Sequence, residues 1–188
     1  YGLTISQIFL LQGIFGAVLI VFDLPAGYLA DLFGRKKTML IGSAISASGY
    51  LVLWQGSSFS HFVIFEIIVG VGLSLQSGCD VAVLFNSAEL AGRKNEIGHF
   101  LSRRISIQNF SEGISSLLAA ALTTISLKWP IVINAFTPWI LVLCAYLIQE
   151  PPTEKLSRES HMKNIKLIGK ALFGHSKLLT WVIISFVV

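Results

Sequence analysis

This sequence has few charged residues. Asp, Glu, Lys and Arg make up 13% of its 188 residues, whereas 54% of the residues are hydrophobic. A water-soluble protein of this length needs a more strongly charged exterior, so the composition excludes an ordinary globular fold. Most of the chain is therefore predicted to lie in lipid.

Cysteine and recognisable catalytic motifs are also scarce. The two cysteines, Cys79 and Cys144, lie in apolar runs without the spacing of metal ligands, so we interpret both as buried thiols and expect no metal site. The sequence contains no nucleophile with a neighbouring base and no phosphate-binding loop. We expect no enzyme activity and no bound cofactor.

Long apolar runs are what the sequence has instead. A window of about 20 residues, the length that crosses a bilayer as a helix, identifies five complete spans and the start of a sixth near Lys177. The fold class is therefore predicted to be all-α, a polytopic bundle of membrane helices. Very short connections at 56–60 and 127–128 predict tight antiparallel helix pairs. The five spans are 6–30, 38–54, 61–90, 99–126 and 129–149.

Basic residues are concentrated in alternate loops. Of the 14 Lys and Arg residues, all but Lys128 lie in or beside the loops 31–37, 91–98 and 151–176. Because Lys and Arg in short loops are retained in the cytoplasm, these three loops are predicted to be cytoplasmic. The same asymmetry explains the net charge of +4, so we expect no nucleic-acid partner.

The longest connection follows the fifth span. Pro151 and Pro152 end that span, and the charged segment up to residue 176 contains apolar positions on one helical face at 162–173, with lysines around them. This pattern predicts a linker helix on the cytoplasmic membrane surface. A specific lipid-binding or regulatory site is the alternative.

The first cytoplasmic loop carries a motif with clear physical roles. It begins at Asp23 and continues Leu-Pro-Ala-Gly27-Tyr-Leu-Ala-Asp31-Leu-Phe-Gly34-Arg35-Lys36-Lys. Gly27 lets a neighbouring helix approach, and Asp31 can accept hydrogen bonds from the amino end of another helix. Gly34 permits the tight turn that presents the basic residues. We interpret the following residues as a gating motif: Asp23, Gly27, Asp31, Gly34, Arg35 and Lys36.

This motif resembles the signature loop between the second and third helices of the major facilitator superfamily, Gly-x-Leu-x-Asp-x-x-Gly-Arg-Lys/Arg, and is complete here. The resemblance implies a secondary transporter that moves a small molecule by alternating access, in the inner cell membrane and as a functional monomer. An ion gradient, of protons or another cation, would supply the energy. No cofactor is implied.

The resemblance also implies a domain arrangement. Residues 1–150 correspond to the N-terminal half-bundle without its first helix, 151–176 to the cytoplasmic linker, and 177–188 to the start of the seventh helix. Because the sequence starts at Tyr1 and stops inside an apolar run, we expect it to be an internal piece of a longer protein.

Two further features bear on the direction of transport. Residues 77–93 resemble a run found in a broad set of poorly characterised bacterial members of this superfamily, many of them regarded as exporters, and we favour proton-driven efflux of a small organic solute. The fourth span lacks the glycine and proline pattern of drug antiporters and has Ser111-Glu112-Gly113 in that place. A solute/cation symporter is therefore one alternative. A transport-inactive membrane sensor or assembly partner is another, although such a protein would be expected to lose its intramembrane carboxylates.

Ionisable groups within lipid are costly unless they are paired or face water, so each is a functional candidate. Helical spacing places Glu66 and Asp80, with Gly70 and Ser77, on one face of the third span. It also places Arg104, Gln108, Glu112 and Ser116 on one stripe of the fourth. Glu112 is our first candidate for proton coupling. The predicted substrate and proton pathway consists of Gln12, Glu66, Asp80, Gln108, Glu112 and Asn134, with Asp23 as a further candidate.

Structural alternatives stand beside several of these assignments. Asp80 lies at the depth of Arg103 and Arg104 on the adjacent span, so an ion pair is an equal prediction. We expect Arg35 to bind either Glu89 or Asp80. Asn134 is four residues before a proline and can serve a helix kink rather than a substrate. In the second span, a series of small residues predicts a packing surface. These are Gly42, Ser46 and Gly49.

Overall fold

The computed structural model describes residues 2–126 and 128–149, apart from the side chain of residue 24. All of them belong to one compact unit, Tyr1–Thr153. This part of the chain is entirely helical apart from short turns, as predicted. The predictions for 151–176 and 177–188 lie outside the described residues. The helices are α1 (Ile5–Phe33), α2 (Arg35–Gln55), α3 (Phe59–Gln76), α4 (Cys79–Leu90), α5 (Ile97–Ile125), α6 (Lys128–Phe136) and α7 (Pro138–Leu147), with a 3₁₀ turn at Lys94–Glu96.

The boundaries of α1 follow from local chemistry. Thr4 and Gln7 form a capping box, in which each side-chain oxygen accepts a hydrogen bond from the backbone N–H of the other residue. The helix ends at Gly34, whose φ of 96° is unfavourable for residues with a side chain. The next helix begins at once with Arg35, so the predicted turn at Gly34 is confirmed.

The third predicted span is divided into two helices. Gly78 has a φ of 75°, in the left-handed region, and separates α3 from α4. The prediction that Glu66 and Asp80 share one helical face is therefore wrong. A rotation of 100° per residue holds only along a continuous helix, and the left-handed residue changes the direction in which α4 presents its side chains.

The fifth predicted span is also divided, at Thr137. Helix α6 ends at Phe136 and α7 begins at Pro138. Proline has no backbone N–H, so it cannot donate the hydrogen bond that a continuous helix would give to the carbonyl of Asn134. The kink expected beside this proline is thus a break between two helices, and the side chain of Asn134 makes no hydrogen bond there to any described residue.

Helices α2 and α3 form an antiparallel pair with very close backbones. A Cβ atom added at Gly42 would lie 2.7 Å from the carbonyl oxygen of Gly72, and one added at Gly49 would lie 2.7 Å from Cγ2 of Val69. Ser46 is buried between the two glycines of α2 and contacts Gly72. The predicted packing surface is therefore confirmed. We call these contacts of Gly42, Ser46, Gly49, Val69 and Gly72 the α2–α3 seam.

Helix α1 packs against the other side of α3. A Cβ at Gly70 would lie 2.8 Å from Cγ1 of Val18, and the hydroxyl of the fully buried Ser74 donates to the carbonyl oxygen of Leu19 at 3.5 Å. Small side chains thus allow α3 to lie between α1 and α2. In a membrane, where lipid is as apolar as a protein core, such close packing is a main source of helix association.

In the described part of the chain, three segments are long and apolar enough to cross a membrane: Ile5–Asp23, Phe59–Leu90 and Lys128–Leu147. They coincide with the first, third and fifth predicted spans. The second and fourth predicted spans are helices of 21 and 29 residues, which are long enough to cross a bilayer at about 1.5 Å per residue. Their serines and basic residues make α2 and α5 less apolar.

Helix α5 has a different environment from the rest of the unit. None of its residues is buried, and its main contacts are with α4, α6 and the 3₁₀ turn. Cys144 on α7 is also exposed, which corrects the prediction that both cysteines are buried; Cys79 is buried as predicted. An apolar run marks residues that avoid water, and in a membrane protein these face lipid as often as they face the core.

Candidate functional site

The gating motif occupies the end of α1. Asp31 is exposed, while Asp23 is half-buried, and its Oδ1 atom is buried without a hydrogen-bond partner among the described residues. Gly27 is exposed, and a Cβ added there would meet no described atom within 4 Å. The helix that Gly27 is predicted to admit is therefore not among the described elements.

Two basic residues that follow the turn contact other helices. Arg35 donates from an Nη atom to the carbonyl oxygen of Ala82 on α4, at 3.3 Å. The Nζ of Lys36 lies 5.7 Å from the centre of the Tyr146 ring on α7, within the range of a cation–π contact. The motif is thus attached to α4 and α7, and Arg35 reaches α4 through the backbone of that helix.

An ion pair joins α4 to α5. The guanidinium of Arg104 binds the carboxylate of Asp80, whose Oδ1 also accepts from the backbone N–H of Val81 at 2.7 Å. This is the arrangement proposed from sequence as the structural alternative for Asp80. The neighbouring Arg103 is exposed and has no partner in the described part of the chain.

The connection between α4 and α5 contains two more ion pairs. Lys94 binds Glu89 at 2.6 Å, so this carboxylate, expected as an acceptor for Arg35, contacts a loop cation. Arg93 binds Glu96 at 2.6 Å and stacks over Phe100 at 4.8 Å. The hydrogen bond from Arg93 and its positive charge hold the pKa of Glu96 below its ordinary value.

The predicted stripe of α5 is present in the structure. The amide of Gln108 donates to Oε1 of Glu112 at 3.0 Å, and the hydroxyl of Ser116 donates to the backbone carbonyl of Glu112 at 2.8 Å. These side chains are exposed on the described chain. Together with Arg104 they form what we call the α5 stripe.

The remaining pathway candidates lie in different environments. Glu66 is buried within the unit, at 9% exposure, whereas Gln12 on α1 is exposed. The structure therefore does not place the four predicted carboxylates around one described cavity. Within the described ranges, no cluster of three His, Cys, Asp or Glu side chains could hold a metal ion.

Asn134 lies on the wall of a cavity of about 210 Å³ between α2, α3, α6 and α7. Several polar residues of this wall were not among the sequence candidates. Of these, Gln76 had a recognisable signal, an amide within an apolar run, while the others resemble ordinary packing residues or a surface aromatic. The wall residues missed from sequence are Ser43, Tyr50, Gln76 and Thr137.

Comparison with known proteins agrees with the helical fold and the motif. The family model described as Major Facilitator Superfamily matches residues 1–188. The chain is 29% identical over 189 residues to a protein of Buchnera aphidicola subsp. Schizaphis graminum named "Uncharacterized transporter", covering 92% of this chain and 45% of that protein.

Two further relatives are shorter matches. A Buchnera aphidicola subsp. Baizongia pistaciae protein, also named "Uncharacterized transporter", is 30% identical over 153 residues, covering 79% of this chain and 35% of that protein. The Escherichia coli "Inner membrane transport protein YajR" is 28% identical over 158 residues, covering 80% of this chain and 32% of that protein. The chain thus spans less than half the length of these relatives.

Proposed function

Because the chain belongs to the major facilitator superfamily, we propose that this protein moves a small organic solute across the membrane by alternating access, and that protons drive efflux. Membrane transport as a class follows from the family and from relatives named as transporters. The solute class, the coupling ion and the direction are the proposal. They rest on the side chains described above.

The observation that carries the proposal is the hydrogen-bonded pair Gln108 and Glu112. A carboxylate on a long membrane helix is costly unless it is paired or reaches water, so it is a candidate for a functional role. Glu112 has one hydrogen bond from a neutral amide and no cationic partner among the described residues. Replacing its carboxylate by an amide therefore leaves no described cation without a partner.

A series of contacts links the gating motif to α5, the helix that carries this carboxylate. Arg35 binds the backbone of α4 at Ala82, and Asp80 near the start of the same helix binds Arg104 of the α5 stripe. A movement of the α1–α2 turn therefore reaches α5 through α4. We propose that Asp31, which is exposed at the end of α1, binds a helix end outside the described residues and closes the cytoplasmic side.

The test is the substitution Glu112→Gln in the purified protein, reconstituted into liposomes. We expect transport driven by an imposed pH gradient to be lost, while exchange of solute at equal concentrations continues, because only the step that needs a titrating group is removed. Glu96→Gln serves as the matched control, since that carboxylate lies in a loop. If Glu112→Gln still transports solute against its gradient as the native protein does, the coupling role is wrong.

A solute/cation symporter is the second candidate, favoured by one observation. Ser111 and Gly113 occupy the part of α5 where drug antiporters carry a glycine and proline pattern, and α5 here runs as an uninterrupted helix to Ile125. Inverted vesicles distinguish the two. Uptake of solute into such vesicles driven by inward-directed proton movement supports a symporter, whereas exchange of solute for protons supports efflux.

The proposed location is the inner cell membrane, where the protein acts as a monomer with loops 31–37, 91–98 and 151–176 in the cytoplasm. Two exposed positions on opposite sides test this topology. In a variant with Cys144 replaced by Ser, a cysteine at Ser58 should react with an impermeant thiol reagent added to intact cells, and a cysteine at Asn95 should not. The reverse pattern would contradict the orientation.

A further inference from the structure

The cavity between α2, α3, α6 and α7 is separate from the residues used above for coupling. The wall residues that the structure describes include none from α5 and none from the gating motif. Its volume of about 210 Å³ holds about seven water molecules at ~30 Å³ each, or one small organic molecule. It is therefore large enough for a fragment-sized ligand, although it is smaller than the ~300–1,000 Å³ of pockets that hold drug-sized molecules.

The wall combines apolar surface with neutral polar groups. Leu73, Pro138 and Leu141 supply aliphatic surface, and no Asp, Glu, Lys or Arg among the described residues lines the cavity. This is the usual composition of a small-molecule site, in which a few polar groups orient a ligand within an apolar wall. A charged ligand would lose its hydration here without gaining an ionic partner.

Several of these polar groups have unused hydrogen-bonding capacity. Among the described residues, neither the side-chain amide of Asn134 nor the hydroxyl of Tyr50 has a hydrogen-bond partner, although the Tyr50 ring is held against Phe65 at 5.3 Å. Gln76 donates both amide hydrogens, to Ser46 at 3.1 Å and to the Gly72 carbonyl at 3.2 Å, which leaves its Oε1 as an acceptor.

Ser46 adds a donor to this set. Its oxygen accepts from Gln76, so its own hydroxyl hydrogen remains available. Asn134 is exposed and Tyr50 is half-buried, so a ligand in the cavity can reach both side chains. The cavity therefore offers both donors and acceptors, and all of them are uncharged.

The break between α6 and α7 also lies beside this cavity. The break between α6 and α7 lies at Thr137 and Pro138, and both residues line the cavity with Asn134. Interrupted helices within a membrane are tolerated where they are buried in protein or line a cavity, and transporters use them to build binding sites. The helix interruption and the unpaired side chains are independent observations that coincide in one cavity.

We propose that this cavity binds a small uncharged molecule that carries both hydrogen-bond donors and acceptors, of the primary-amide class. Asn134 can form two complementary hydrogen bonds with such an amide. Tyr50 and the Oε1 of Gln76 lie on the same wall and supply further partners. The site discriminates against ions, and its occupancy does not depend on Glu112.

Three probes of nearly equal shape test the proposal: benzamide, benzoate and benzamidine, which are neutral, anionic and cationic. Binding to the purified full chain in lipid nanodiscs can be measured by equilibrium dialysis or ligand-observed NMR. We expect benzamide to bind and both charged probes to bind at least about tenfold more weakly. Asn134→Leu should raise the dissociation constant for benzamide at least about tenfold.

Two other variants keep the test decisive. Tyr50→Phe retains the ring contact with Phe65 and removes one hydroxyl, so the dissociation constant should rise about fivefold even if Asn134→Leu fails to fold. Asn109→Leu changes an exposed amide on α5 and should leave benzamide binding unchanged. The proposal is overturned if benzamide does not bind, if the charged probes bind equally well, or if neither wall variant weakens binding. Because no transport is measured, these outcomes are independent of the proposed coupling mechanism.

Discussion

The α2–α3 seam and helix α5 differ in how closely they pack against the rest of the unit. At the seam, glycine and serine let two backbones approach until a single added carbon would overlap with the neighbouring helix. Helix α5 buries no residue on the described chain and carries Gln108 and Glu112 in exposed positions. Small residues therefore hold this unit together, while the polar side chains proposed for coupling lie on the helix that buries no residue.

The largest expected effect is the loss of stability caused by a substitution in the α2–α3 seam. Gly72→Ala places a Cβ about 2.6 Å from the backbone nitrogen of Ser46 and 2.7 Å from the carbonyl oxygen of Gly42, so the helices must move apart. Overpacking of this kind lowers the free energy of unfolding by about 1–3 kcal/mol, and we expect the upper end because backbone atoms cannot rotate away. Reversible unfolding in detergent measures the change.

The matched control is Gly113→Ala on α5, where a Cβ would meet no described atom within 4 Å. Alanine favours a helix over glycine, so we expect this change to be neutral or to stabilise the protein by up to about 1 kcal/mol. Equal losses of stability in the two variants would contradict the contrast between the regions.

The next effect is on function rather than on folding. Asp31 is exposed at the end of α1, like the polar residues of α5, so Asp31→Asn should change stability by less than about 0.5 kcal/mol. Transport should fall about tenfold, equivalent to about 1.4 kcal/mol in the balance between inward and outward states. Liposome transport and detergent unfolding are measured together. A native transport rate in this variant would show that Asp31 does not close the cytoplasmic side.

A smaller effect concerns the attachment of α5. The side chains of Asp80 and Arg104 are 38% and 42% exposed, so their ion pair should contribute about 0.5–1 kcal/mol after screening by solvent. The double-mutant cycle of Asp80→Asn and Arg104→Gln isolates this coupling. Arg103→Gln is the control and should show no coupling to Asp80→Asn. A zero value for the Arg104 cycle would mean that another contact holds α5 to α4.

The smallest effect is the pH dependence of the loop before α5. Arg93 donates to Glu96 and lowers its pKa from the ordinary value of 4.5, so the pair stabilises the folded loop above that value. The stabilisation is lost as the pH falls through the lower pKa of the folded state. Unfolding measured at neutral and acidic pH should show a slight loss for the native protein. If Glu96→Gln has the same pH dependence, the ion pair contributes nothing.

Several features of the site were predictable because they depend on neighbours along one helix or on a single residue type. Gln108 and Glu112 are four residues apart, so their hydrogen bond follows from helical geometry. Gly34 was predictable because glycine tolerates positive φ. The shared face of Glu66 and Asp80 was not, since the left-handed Gly78 interrupts the helix between them. The contact of Arg35 with the backbone carbonyl of Ala82 was not predictable either, since the sequence suggested Glu89 or Asp80 and every residue has a carbonyl.

The sequence by itself determined the helical membrane fold, the approximate extent of its apolar spans, the turn at Gly34 and the small-residue surface of α2. These are consequences of apolar run length and residue size, which are local properties. Only the tertiary structure decided which carboxylate is buried, which cation each carboxylate binds, and that Ser46, Tyr50, Gln76 and Asn134 surround one cavity. Those outcomes depend on how separate helices break and cross, and residues distant in sequence become neighbours only when the helices pack.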